Sequence, residues 1–428
     1  MIHFLKKIIL FLLELEAKLV LKKYKPIIVT ITGSVGKTST KDALYAMLSK
    51  FYYVRKNIKT PDNRIGFPLT ILGSPNGGTN PIIWIKTLLK GLSLILQDHT
   101  YPHLLILETV VKEPGHIDSL LSWLYSDIVV ITPFGSTPPH IEFFDSREHL
   151  IHEKTKILST LAPSGILILN TDDEAIRNLQ HVPKVRTFNF GFNENSMIQA
   201  SHEHILYDDN KRLKGIQFKI NYDGNSLPIP IEGSFGKNLI YAVLASVVVA
   251  REMNLNMITA FESLKHYPTP PGRMKLLAGV KSSSIIDDTY NSSPAATTLA
   301  IETLKAIETK GRKILVLGDM MDLGTQSQEE HKKIGTLAAG VADILITVGI
   351  RARLIAEGAL NSEMDENTIF QYESAQNAGK FLEQEIKEND VILVKGSQLM
   401  RMERTVEEVM NNPTQKKMLL VRQGSEWI

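Results

Sequence analysis

One stretch near the N-terminus constrains the fold more than any other: Val29-Thr30-Ile31-Thr32-Gly33-Ser34-Val35-Gly36-Lys37-Thr38-Ser39-Thr40. The apolar, β-branched residues 27–31 read as a buried strand, and after the Lys-Thr pair Leu44, Met47 and Leu48 recur at helical spacing. Strand, glycine turn and helix in that order make a phosphate-binding loop. Gly33 and Gly36 let the backbone curl so that amides face an anion, and the helix start adds its partial positive charge. Lys37 is placed for β- and γ-phosphates, and the Thr38 hydroxyl for Mg²⁺. Gly33, Ser34, Val35, Gly36, Lys37, Thr38 and Ser39 are therefore read together as a nucleotide-phosphate contact. The longer form of the pattern has glycine where Ile31 stands, so only the shorter T-G-S-x-G-K-T-S is present.

A chain of 428 residues holds two or three domains of ordinary size. With 48 basic against 46 acidic side chains, nothing suggests a nucleic-acid-coating surface. The absence of cysteine removes disulfides, thiolate zinc sites and cysteine nucleophiles together, and fits a reducing, cytoplasmic setting. Residues 1–24 form a segment of their own. Their longest apolar run, Ile8-Ile9-Leu10-Phe11-Leu12-Leu13, stops at Glu14, too short for a bilayer span or a signal-peptide core. Drawn as a helix, Lys7, Glu14, Lys18 and Lys22 share one stripe beside a broad apolar face. Packing on its own domain or a second subunit is the ordinary reading. A helix lying in a membrane surface, lysines toward anionic headgroups, is the sharper one.

Beyond the loop, residues 60–68 are rich in turn formers and read as a connector. Residues 82–96 read as an amphipathic helix. Residues 104–108, 127–132 and 165–170 are apolar strands, so Gly33, Glu108, Thr132 and Asn170 all stand at strand C-termini, where ligands bind in open α/β sheets. Residues 215–222 and 226–231 flank Asp223-Gly224, a hairpin signal, and predict a small antiparallel addition to the sheet. A helix over 238–253 follows. Tyr267-Pro268-Thr269-Pro270-Pro271-Gly272 then breaks regular structure. Strands at 284–287, 313–317, 344–348 and 391–394 restart the alternation. The fold class is α/β: a central P-loop domain over 25–270 with a mostly parallel sheet, then a smaller Rossmann-like domain over 271–428.

The ordered motifs extend almost to the C-terminus. They include residues 31–41; Asn63 with Ile65-Gly66; Glu108 followed by Pro114-Gly115; His140-Ile141-Glu142 with Lys154; Asn170 and Asp172-Asp173; and Asn238. They continue with Pro271-Gly272-Arg273, Asp287-Asp288-Thr289-Tyr290-Asn291, Leu317-Gly318-Asp319-Met320, Leu323-Gly324, His331 and Lys395-Gly396-Ser397. In this order and spacing the chain resembles the Mur ligase family, most closely its MurF-type members, which add D-alanyl-D-alanine.

That resemblance implies an ATP-dependent amide ligase working through an acyl phosphate. Lys37 would neutralise the β/γ oxygens, and Thr38 and Glu108 would hold one Mg²⁺. His140 and Lys154 would serve a second, with Lys154 carbamylated to N6-carboxylysine. Asn238 would lie on the adenine side, Arg273 would reach the phosphates on domain closure, and Asp288 would meet the ribose. Tyr290, Asn291, Asp319, Met320, His331 and Lys395 would recognise the acceptor, or equally serve as turn and capping residues. Lys156, Lys237 and the prolines at 133, 138 and 139 depart from the family's usual residues. The short segment before the first strand leaves no room for the family's N-terminal donor-binding domain. That keeps open a different acyl donor, and a non-catalytic ATP-binding scaffold at a membrane surface.

Overall fold

The strand that carries the glycine loop is central because it is apolar on both faces. In the computed structural model, which describes residues 2–57, 62–177, 179, 185–265, 267, 269–424 and 427, β1 (Ile27–Thr32) buries Ile28, Val29 and Ile31 completely. Met1, Thr60, Pro61 and Pro268, all drawn on above, lie outside the described residues. Contacts divide the chain into two compact units: Met1–Pro133, Glu148–Gln199 and Tyr241–Leu264 form one, and Phe134–Arg147, Ala200–Ile240 and Lys265–Ile428 the other.

In the first unit β1 lies between β3 (Leu104–Glu108) and β4 (Ser126–Ile131), parallel to both. With β2 (Val54–Lys56), β5 (Leu161–Asn170) and β6 (Arg186–Gly191) the order is β2-β3-β1-β4-β5-β6, all parallel. Parallel strands need crossovers, and the helices that supply them cover both sheet faces, which is why these strands read as continuous apolar runs.

The first unit also holds α1 (Ile2–Tyr24), α2 (Lys37–Leu48), α3 (Asn63–Leu72) and α4 (Pro81–Leu96). α1 packs on α3 and α4 and buries Leu13, Ala17, Val20 and Leu21. One face of the N-terminal helix therefore belongs to its own domain, as the ordinary reading had it. α3 corrects the connector expected at 60–68. Asp62 caps the helix by accepting the Arg64 amide at 2.9 Å, and Gly66, Phe67 and Pro68 are buried beneath neighbouring helices. Turn formers there start a helix because packing outweighs local propensity.

The second unit contains the predicted hairpin. β8 (Leu213–Tyr222) pairs antiparallel with β9 (Asn225–Glu232) across Asp223 and Gly224, whose φ angles of 46° and 78° are those of a tight hairpin turn. Another strand before it, β7 (Ile198–Tyr207), was not legible: its Ser-His-Glu-His stretch lacks the alternation of a half-buried strand. The C-terminal sheet has the order β10-β11-β15-β12-β13-β14. Its strands are β10 (Lys275–Ala278), β11 (Ser284–Asp288), β12 (Lys313–Gly318), β13 (Ile344–Val348), β14 (Ile369–Tyr372) and β15 (Val391–Lys395). Only β10 is antiparallel to its neighbour. Leu315 and Leu317 of β12 enter one apolar core while Ile314 and Val316 enter the other, as strand alternation requires in a sheet covered on both sides. The chain is thus α/β in both parts.

Candidate active site

The loop after β1 is fixed by its glycines. At Gly33, φ is 126° and an added Cβ would lie 2.2 Å from Thr132 Oγ1 and 2.3 Å from the Thr132 carbonyl oxygen. No side chain fits there. Gly36, with φ of 82°, is the N-cap of α2 and meets no such wall, so its requirement is conformational. The amides of Ser34 and Val35, expected to face an anion, instead donate to the Pro133 carbonyl at 3.1 and 2.9 Å. The end of β4 passes close enough to take both. α2 begins directly after this loop, so the partial positive charge of its N-terminus lies at the end of the glycine turn.

Lys37 Nζ folds back and donates to the Gly33 carbonyl at 2.9 Å. One residue on, Thr38 Oγ1 donates to Glu108 Oε1 at 2.8 Å, bringing the hydroxyl and carboxylate of the sequence reading together. The second oxygen, Oε2, accepts Lys41 Nζ at 2.8 Å. The Glu108 backbone is clamped by Asn57, whose side chain accepts its amide at 2.9 Å and donates to its carbonyl at 3.1 Å. Burial alone would raise the Glu108 pKa. Lys41, Lys37 and the Thr38 hydrogen bond outweigh it and hold the group below the usual carboxylate range. Among the described residues no three His, Asp or Glu side chains converge as a metal cage. A hydroxyl beside an ionised carboxylate instead suits a hard cation that takes its remaining ligands from phosphate and water, as Mg²⁺ does.

Lys154 arrives on the helix Arg147–Thr155 and is only 2% exposed. Its carbonyl accepts the Thr32 hydroxyl at 3.0 Å, and its Nζ donates to Ser34 Oγ at 2.8 Å. Burial, then the positive charge of Lys37, push its pKa well below that of an ordinary lysine. Lys156, where the resembled pattern has glutamate, pairs with Glu153 at 2.6 Å and Asp118 at 3.2 Å.

In the second unit His140 adopts left-handed backbone (φ 72°) and its Nδ1 lies 2.8 Å from Asp322 Oδ2. Asp288 and Lys395, assigned separately to ribose and acceptor, form a buried pair at 2.6 Å. Lys395 also donates to the Asn291 carbonyl at 2.9 Å, and the Asp288 carboxylate accepts the Met274 amide at 3.2 Å. The Arg273 guanidinium stacks over the Tyr290 ring at 3.6 Å. Asp319 accepts the Ala352 amide at 2.7 Å. His331 is fully buried: Nδ1–H donates to the Ser327 carbonyl at 2.6 Å, and Nε2 accepts the Met320 amide at 3.0 Å. Burial lowers its pKa, consistent with the neutral ring that this pair of bonds requires. Asn238 is the second residue of the helix Lys237–Glu252, and a cavity of about 410 Å³ lined by Glu203, Tyr207, Lys237 and Thr303 opens beside the helix start.

A family model of the Mur ligase middle domain matches residues 31–250, more than half the chain. The chain belongs to the Mur ligase family. A second model, of the Mur ligase glutamate ligase domain, matches residues 272–398. A relative from Bacillus subtilis named UDP-N-acetylmuramoyl-tripeptide–D-alanyl-D-alanine ligase is 27% identical over 402 residues, which cover 94% of this chain and 79% of the relative. A protein of the same name from Escherichia coli is 26% identical over 399 residues, 90% of this chain and 77% of its own. Among solved structures, MurF ligase from Thermotoga maritima in complex with ADP matches with a TM-score of 0.76 at 25% identity, covering 93% of this chain and 83% of that one.

For this Mur ligase, sequence reasoning missed three supporting residues. Lys41 had a readable signal: it follows Thr38 by three and Lys37 by four, on the same face of α2. Asn57 and Asp322 had none, because each reaches its partner across a large separation in sequence.

Proposed function

We propose that this Mur ligase is an ATP-dependent, ADP-forming amide ligase that adds D-alanyl-D-alanine to a peptidoglycan-precursor peptide through an acyl phosphate. The observation that carries the reading is the cluster at the ends of β1 and β3, where Lys37, Thr38, Glu108 and Lys154 gather around a loop only glycine can form. Attack of a carboxylate on a polyanion needs its charge cancelled and its geometry fixed. Lys37 leaves the Gly33 carbonyl to meet phosphate oxygens, and the positive end of α2 adds its partial charge at the same place. Bound Mg²⁺ would supply charge neutralisation at the phosphates; Thr38 and Glu108 would hold one ion, and His140 and Lys154 are each proposed separately as ligands of a second.

Asn238, Arg273 and Asp288 are carried forward as adenine, phosphate and ribose contacts. Tyr290, Asn291, Asp319, Met320 and Lys395 are carried forward as acceptor contacts. His331, with both ring nitrogens on backbone groups, would act there indirectly by fixing the Met320 amide. The proposed division remains 25–270 for the nucleotide part and 271–428 for the acceptor part.

Incubation with ATP, Mg²⁺, a nucleotide-linked muramoyl tripeptide and D-alanyl-D-alanine should give ADP and a product heavier by the dipeptide, read by mass spectrometry. A product only with another acyl donor would overturn the donor assignment. Tight ATP binding without ADP formation for any donor would overturn the ligase reading.

Lys154 is proposed to carry a carbamate. Burial lowers the pKa of the Lys154 amine, which favours the unprotonated form that attacks carbon dioxide, forming a C–N bond and releasing a proton. Isotopically labelled bicarbonate should give a carbamate carbonyl signal by NMR that Lys154→Ala lacks, and turnover should fall in carbon-dioxide-free buffer. No signal, with turnover indifferent to bicarbonate, would remove the modification.

A further inference from the structure

Among the described residues, nineteen large apolar side chains are exposed, and nine of them lie on just two helices, α1 and α4. Phe11, Leu15 and Leu19 form a stripe along α1, and Ile85, Leu89 and Leu96 form one along α4, with Phe11 64% and Leu96 72% exposed. The two stripes make one face. Lys23 Nζ donates to the carbonyls of Leu94 and Ile95 at 3.0 and 3.2 Å, and an added Cβ at Gly91 would meet Glu16 Oε2. Residue 16 thus lies beside 91, and residue 23 beside 94 and 95, so the helices run parallel. Turning one way from Glu16 on α1 and the opposite way from Gly91 on α4 reaches the same outer side. At 100° per residue, both stripes lie there.

Charge decides what covers this face. Lys7, Lys18 and Lys22 follow the outer edge of α1, Lys86 lies on the far edge of α4, and all four are exposed. α4 carries no acidic residue, the two glutamates of α1 are partly buried, and Asp98 just beyond α4 is paired with Lys23 at 3.1 Å. An apolar band with lysines on both margins is complementary to acyl chains beneath anionic headgroups. A second copy meeting this face two-fold would bring its own lysine margins to the interface, with no exposed carboxylate on either helix to answer them. Among the described residues no helix is long and apolar enough to cross a membrane.

We propose that the α1–α4 face is a docking surface for an anionic lipid bilayer, seating the helix pair in the interfacial plane. This inference is independent of the ligase reading. The full chain should co-sediment with vesicles of phosphatidylcholine and phosphatidylglycerol at least about tenfold more strongly than with phosphatidylcholine alone, and less strongly at high salt. Leu15→Glu with Leu89→Glu should abolish binding while the melting temperature and turnover on soluble substrates stay as in the parent. Lys18→Glu with Lys22→Glu should remove the preference for anionic lipid, about fivefold or more for each charge reversed. Equal sedimentation with and without anionic vesicles would overturn the proposal. So would a concentration-dependent dimer, seen by analytical ultracentrifugation, that the leucine pair of substitutions abolishes without any lipid effect.

Discussion

Lys37→Ala should lower ADP and product formation by roughly a hundredfold or more while leaving the protein folded. The ammonium is held at 2.9 Å by the Gly33 carbonyl, over the loop where phosphate oxygens are expected. Its removal takes away a preorganised charge at the point where negative charge must be screened during transfer, and water cannot replace it in kind. Stability should change little, because the side chain is partly exposed and contributes little to packing. The same substitution relieves the Coulombic push on Lys154 and removes one of the two cations that keep Glu108 ionised. A coupled ADP-release assay with a melting curve checks both halves. Unchanged ADP formation in a folded Lys37→Ala protein would take Lys37 out of the phosphate contact.

The parts of the molecule that were legible in the sequence are those where one local pattern serves one purpose. The strand run of β1, the two glycines and the Lys-Thr pair are contiguous, so their geometry is written in a dozen residues, and the Thr38 hydroxyl lies against the Glu108 carboxylate. The Asp223-Gly224 turn was equally readable, because positive φ at both positions admits few residue types. α3 was not, since Asp62, Gly66 and Pro68 carry turn propensity and only burial against neighbouring helices makes them helical. The loop amides also escaped prediction: nothing in Gly33-Ser34-Val35 says that a strand end a hundred residues later presents the Pro133 carbonyl. Asp288 and Lys395 show the same limit from the other side. Each was placed in a role by resemblance, and their partnership across 107 residues became visible only once β11 and β15 paired.

Lys41→Met should give the largest loss of stability among the site residues, about 3–5 kcal/mol. Lys41 is 4% exposed, and its ammonium sits 2.8 Å from Glu108 Oε2. Removing it leaves a buried carboxylate with a hydroxyl and the more distant Lys37 charge as compensation. The pH dependence should invert as well. In the parent chain Glu108 titrates below the usual carboxylate value of 4.5. Its contribution to stability is therefore complete above the unfolded value and is lost as pH falls through the folded one. In Lys41→Met, burial prevails and the folded pKa rises above the unfolded value, so ionising Glu108 now opposes folding as pH rises. The deficit relative to the parent should accordingly grow from about pH 4 to pH 7, read as the shift in urea midpoint. Pairing the substitution with Glu108→Gln removes the uncompensated charge and should recover much of the loss, giving a coupling energy that neither single change predicts. A deficit under about 1 kcal/mol that does not vary with pH, or a double variant no better than Lys41→Met, would show that the Lys41–Glu108 contact carries no such energy.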